Sequence, residues 1–79
     1  MFLKTVYDIQ QFLKRFGIII YIGDRLADLE LMEMEVRQLY QSQLMEAKDF
    51  QMAMLILGRE ITREKEKRKR RGERGSRYE

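Results

Sequence analysis

Apolar residues recur with helical spacing along the first three quarters of the chain. Val6, Ile9, Leu13 and Phe16 stand at i, i+3, i+7 and i+10, with Phe12 widening the stripe. This spacing predicts an amphipathic helix over about residues 6–16. Thr5, followed three positions later by Asp8, reads as a capping box with Asp in place of Glu, and Gly17 can take the left-handed conformation just past the last turn. Lys14 and Arg15 in that turn complement the helix dipole. A second stripe, Leu29, Met32, Val36, Leu39 and Tyr40, predicts a second helix opened by Asp24 as N-cap, with Asp28 and Glu30 in its first turns. Leu31 and Met34 fall off that stripe, toward solvent.

Between these helices runs Ile18-Ile-Ile-Tyr-Ile22, β-branched and bounded by Gly17 and Gly23. Local propensity favours a strand there, yet no second strand is available and a lone one leaves backbone groups unpaired. The expectation is an extended connector or a short helical turn that plugs the bundle, Tyr21 included. Gln41 to Met45 form the next turn by default, since no glycine marks it. A third helix starts near Glu46, with Ala47, Phe50, Ala53, Met54, Leu57 and Ile61 on one face and Met52, Leu55 and Ile56 on the other. An apolar surface running almost all round implies two packing partners, as for the central helix of a bundle. The rival reading is an exposed Met52, Leu55, Ile56 patch that docks a second protein or a second copy of the chain. Glu64 with Arg68, and Glu66 with Arg70, stand at i and i+4 and continue the helix beyond Ile61, with fraying expected near Gly72 and Gly75. The fold expected is all-α: a compact three-helix bundle over residues 1–61, with the third helix extended over 62–79 into a basic C-terminal tail.

Composition narrows the chemistry. The 79 residues include no cysteine and no histidine, which removes disulfides, thiolate metal sites and the commonest general base. A domain of this size buries too little surface for a deep, rigid pocket. Asp24, Asp28, Glu30, Glu33 and Glu35 are spread around a helix surface rather than converging on one point, as acid–base catalysis or a hard cation would require. The expectation is therefore no enzyme, no metal, no cofactor and no small-molecule substrate. No apolar run approaches the roughly 20 residues that span a bilayer, and charged residues interrupt the N-terminal region where a signal peptide would need a continuous apolar stretch. A cytoplasmic location without membrane insertion is expected.

The formal charge of +3 averages two unlike pieces. Residues 1–57 carry six basic against eight acidic side chains, a net of −2, whereas residues 58–79 carry ten against five, a net of +5. Lys65, Lys67, Arg68, Lys69, Arg70 and Arg71 concentrate that charge over about two helical turns, enough to neutralise several phosphates. The bland reading of the same run is a solubilising helical end. Binding of single strands also uses aromatic platforms. Tyr40 falls on the core stripe of the second helix, Tyr21 lies in the connector and Tyr78 at the end of the tail. Tyr7, beside Lys4, Lys14 and Arg15, is the stacking candidate. Acids on the second helix repel phosphates, so a binding face excludes its N-terminal half and favours the first helix with the tail. No recognition helix rich in basic and amide side chains presents itself, which argues against reading bases in a duplex groove.

Tyr7-Asp8-Ile9-Gln10-Gln11-Phe12-Leu13, then Gly23-Asp24-Arg25-Leu26-Ala27-Asp28-Leu29-Glu30-Leu31-Met32-Glu33, and Ala53-Met54-Leu55-Ile56-Leu57 together resemble the YqgQ-like family of small bacterial proteins, over about residues 5–60. The resemblance implies a compact three-helix fold, a cytoplasmic protein and a role in binding single-stranded nucleic acid. Combined with the charge pattern, it leads to an expected binder of single-stranded RNA or DNA without strong sequence preference. Lys14, Arg15, Lys65, Lys67, Arg68, Lys69, Arg70 and Arg71 would hold phosphates and Tyr7 would stack on a base. The alternative is an interaction adaptor or weak homodimer that uses Met52, Leu55 and Ile56. Attachment to anionic lipid ranks last, because residues 63–71 offer no apolar face to insert.

Overall fold

The computed structural model describes residues 3–76, with side chains as far as residue 70. Three helices are present in it: α1 (Val6–Arg15), α2 (Arg25–Gln41) and α3 (Ala47–Ser76). The capping box that opens α1 forms as its residues suggest, since Thr5 Oγ1 accepts from the Asp8 N–H and Asp8 Oδ2 accepts from the N–H groups of Thr5 and Lys4. At the other end Gly17 takes φ +77°, while the Ile18 N–H reaches back to the Leu13 carbonyl and the Gly17 N–H to that of Lys14. This is the Schellman closure, which satisfies carbonyls that the helix end would leave open. The end of α2 has the same closure without glycine: Gln43 adopts φ +61°, and the N–H groups of Leu44 and Gln43 bond the carbonyls of Leu39 and Tyr40. The turn expected at 41–45 is therefore defined, by a residue whose side chain gives no hint of it.

The core is one cluster drawn from every element. Leu3, Val6, Ile9, Phe12 and Leu13 come from α1 and its approach; Leu29, Met32, Val36 and Leu39 from α2; Met45 from the turn; and Ala53, Leu57 and Ile61 from α3. Each large side chain fully buried there contributes about 1.5–3 kcal/mol relative to exposure. α2 and α3 run antiparallel and share the most extensive interface, with α1 laid against both. The all-α three-helix fold is thus as expected, while α1 packs more on α2 than on α3 and Met52 and Leu55 of α3 face solvent, so α3 is not the central helix expected.

Several expectations change in detail. Ile18 and Ile20 pack against the core, but Ile19 faces solvent and Tyr21 is 85% exposed. The connector is non-helical and alternates, its ends tied by the Ile18 bond to Leu13 and by an Ile22 N–H that donates to Asp28 Oδ1 at 2.7 Å. Tyr21 consequently points away from the bundle and is no plug. Tyr40 sits at the rim of the core, with its ring stacked on Phe50 at 4.2 Å and 8°. Ala47 begins α3 in solvent, ahead of the first core contacts at Phe50 and Ala53. Glu64 and Arg68 pair at 3.6 Å as expected, whereas Glu66 and Arg70 make no ion pair. α3 runs past the glycines at 72 and 75 to Ser76. Tyr78 lies outside the described residues.

Candidate nucleic-acid interface

Antiparallel packing decides where the basic extension of α3 goes. It brings the start of α2 alongside the turn of α3 that carries Lys65 and Arg68. Arg68 donates from its Nη2 to Asp24 Oδ1 at 2.6 Å and also pairs with Glu64, while Lys65 stands 4.0 Å from Glu30. Two of the side chains expected to meet phosphate are therefore engaged with the acids of α2. The Arg68 guanidinium, aided by the Ala27 N–H, holds the Asp24 carboxyl below its ordinary range, and the carboxylate in return raises Arg68 further. Both partners keep two fifths or so of their side chains in water, at 39% for Arg68 and 45% for Asp24, so solvent screens the pair.

The remaining tail cations lie elsewhere on the helix. Lys67, Lys69 and Arg70 are exposed and form no ion pair among the described residues; for Arg71 only the backbone position in α3 is described. Arg59, Arg63, Lys67 and Arg70 follow at i, i+4, i+8 and i+11, which on a helix is one flank. Arg63 in that row is bonded to Glu60 at 3.3 Å.

On α1 the buried side is Val6, Ile9, Phe12 and Leu13, which leaves Tyr7, Gln11, Lys14 and Arg15 on the outer face. Tyr7 is 65% exposed, as a stacking platform requires. Asp8, the single acid of α1, is occupied by the capping box; the Lys4 N–H above all, then that of Thr5, hold its carboxyl below the ordinary range. Lys14, with Gln10 and Gln11, borders a crevice of about 200 Å³ closed by Ile18, Ile19 and Ile20.

Where the start of α1 meets the middle of α3, a second groove of about 350 Å³ opens, lined by Lys4, Thr5, Tyr7, Arg25, Ile56, Arg59 and Glu60. Its basic side chains come from the approach to α1, the first residue of α2 and the middle of α3. Arg25 and Arg59 were absent from the expected set. They lie far apart in sequence from each other and from Tyr7, and only the helix packing unites them. The feature that could have drawn attention to Arg25 is its place at the start of α2, where a cation is unfavourable for the helix dipole.

Of the alternative patch, Met52 and Leu55 are exposed, whereas Ile56 is partly buried against the core and forms part of the groove wall. Among the described residues no cluster of acidic side chains is arranged to hold a metal ion, and no helix is long and apolar enough to cross a membrane.

The sequence motifs find their counterpart in a family of known sequences. The model of the YqgQ-like family matches residues 3–63, and the chain belongs to that family. It is 38% identical over 63 residues to an uncharacterised protein, YqgQ, of Bacillus subtilis (strain 168), a match that covers 80% of this chain and 89% of the relative.

Proposed function

We propose that the protein is a small cytoplasmic binder of single-stranded RNA or DNA, without strong sequence preference and without enzymatic activity. The observation that carries this reading is the exposed Tyr7 ring beside Arg25 and Arg59, two arginines that make no ion pair among the described residues, on a side of the bundle continued by Lys67 and Arg70. Phosphates supply the attraction and an aromatic face accepts any base, a combination that tolerates sequence. The acids spread over α2, Glu30, Glu33 and Glu35, line no part of this groove. In fluorescence anisotropy with a labelled single-stranded 20-mer, three to five phosphate contacts would lower affinity roughly 20- to 100-fold between 50 and 200 mM salt. Absence of binding, or binding indifferent to salt, contradicts the proposal.

The exposure of Met52 and Leu55 supports a second reading, self-association or docking through that end of α3. Sedimentation of the chain and of Leu55→Glu separates the two: association lost in the folded variant favours the patch.

A further inference from the structure

Two arginines, Arg25 and Arg59, line the α1–α3 groove, and each stands next in sequence to an acid held by another arginine, which makes two sets. Arg68 holds Asp24, and the residue after Asp24 is Arg25; Arg63 holds Glu60, and the residue before Glu60 is Arg59. In each set one arginine neutralises the acid, and the other is left without a carboxylate. Arg25 and Arg59 both line the groove, together with Lys4 and the Tyr7 ring, beside the apolar Ile56. Resting on the single-strand reading above, we propose that this groove seats one nucleotide unit of the strand. Arg25 and Arg59 clamp its phosphodiester and Tyr7 carries its base.

The chemistry of each part supports the assignment. A guanidinium presents a rigid planar fork of donors that matches phosphate oxygens, and two of them from different helices fix a phosphate in position as well as attract it. An exposed aromatic ring stacks on a base of any identity. Ile56 offers an apolar surface to the sugar or base. Glu60 remains in the wall, and although Arg63 offsets it, its carboxylate disfavours a ligand with two negative charges. The groove thus suits the singly charged diester inside a strand better than a free phosphate dianion. Arg63 and Arg68 act as positioning residues: they touch the acids and leave the clamp to Arg25 and Arg59.

The test compares full-length variants for binding to a labelled single-stranded 12-mer across a salt series, with far-UV circular dichroism to confirm the fold. Arg25→Gln and Arg59→Gln should each weaken binding about fivefold or more and reduce the slope of log affinity against log salt by about 0.7. Tyr7→Ala should weaken it about fivefold or more with the slope unchanged. Arg37→Gln removes the same charge from the far half of α2, where Arg37 pairs with Glu33 at 3.7 Å, and should stay within about twofold of the native chain. Inorganic phosphate should compete only as its ionic strength dictates. If the native chain binds and the three groove variants behave like Arg37→Gln, the groove assignment is overturned and the single-strand reading stands. If phosphate competes beyond its ionic strength, the groove is an anion site and the nucleotide assignment fails. If the native chain binds no single strand, both readings fall.

Discussion

Arg68 bonds Asp24 at 2.6 Å across 44 residues of sequence, and this contact joins the basic end of α3 to the cap of α2. It also determines what lies beside Arg25. With Arg68 in place the Asp24 carboxylate is occupied by a guanidinium and the Ala27 N–H. Without Arg68 it keeps only the Ala27 N–H, and its negative charge, no longer offset, stands one residue from Arg25. Arg68→Gln should therefore weaken binding of a single strand several-fold. Adding Asp24→Asn, which preserves the N-cap because Asn caps as well as Asp, should restore most of the loss. Anisotropy titration of the single and double variants checks this; a double variant as weak as Arg68→Gln would mean that Arg68 meets the strand itself.

Acid should loosen the protein through two carboxylates. Asp8 and Asp24 both lie below the ordinary value of 3.8, Asp8 chiefly through the Lys4 N–H and Asp24 chiefly through Arg68. A depressed folded pKa means that the stabilisation is complete above the unfolded value and is lost as pH falls through the folded one. The urea midpoint should change little through these groups from pH 7 to 5 and fall below about pH 4. The decline should be shallower in Asp8→Asn and Asp24→Asn; equal declines in all three chains would contradict the assignment.

Two positions have the wrong residue for stability, in opposite senses. Gly58 lies inside α3, and a Cβ built there meets no atom within 4 Å. Gly58→Ala should raise stability by about 0.5–1 kcal/mol. Gln43 occupies the left-handed position that closes α2. Gln43→Gly should gain about 0.5 kcal/mol, the relief of a left-handed side chain less the greater freedom of glycine in the unfolded chain. Urea denaturation of both variants gives the signs directly.

Neighbouring leucines on α3 should respond very differently. Leu57 is fully buried between the helices, and Leu57→Ala should cost about 2–5 kcal/mol, a large part of the stability of so small a domain. Leu55, at 51% exposure, should accept glutamate within about 1 kcal/mol. Circular dichroism on heating distinguishes them. Unfolding of Leu55→Glu would place Leu55 in the core and remove the patch as a docking surface.

Local chemistry made most of the fold legible. Thr5 with Asp8, Gly17, Asp24 and the Leu29-Met32-Val36-Leu39 spacing each act over one or two turns, and each takes its expected place. The misread positions depend on partners remote in sequence. Tyr40 fits the helical stripe, but its ring stacks on Phe50 at the rim of the core and stays partly exposed. Tyr21 looked apolar enough to bury, yet alternation along the connector turns it outward once Ile18 and Ile20 pack. In the candidate site, exposure of Tyr7 followed from its angle on α1. The pairing of Lys65 and Arg68 with α2, and the meeting of Arg25 with Arg59, follow from the antiparallel register, which charge counts along the chain do not contain.

The single strand is expected on the side formed by α1 and the Arg59 flank of α3, away from Glu33 and Arg37 of α2. Nitrogen–proton correlation spectra of the labelled full-length chain, recorded during titration with a single-stranded 12-mer, test this residue by residue. Progressive shifts are expected at Lys4, Tyr7, Gln11 and Lys14, at Arg25, and at Arg59, Lys67 and Arg70, with Glu33 and Arg37 on α2 unmoved. Shifts centred on α2, or no shifts at all, would contradict that placement.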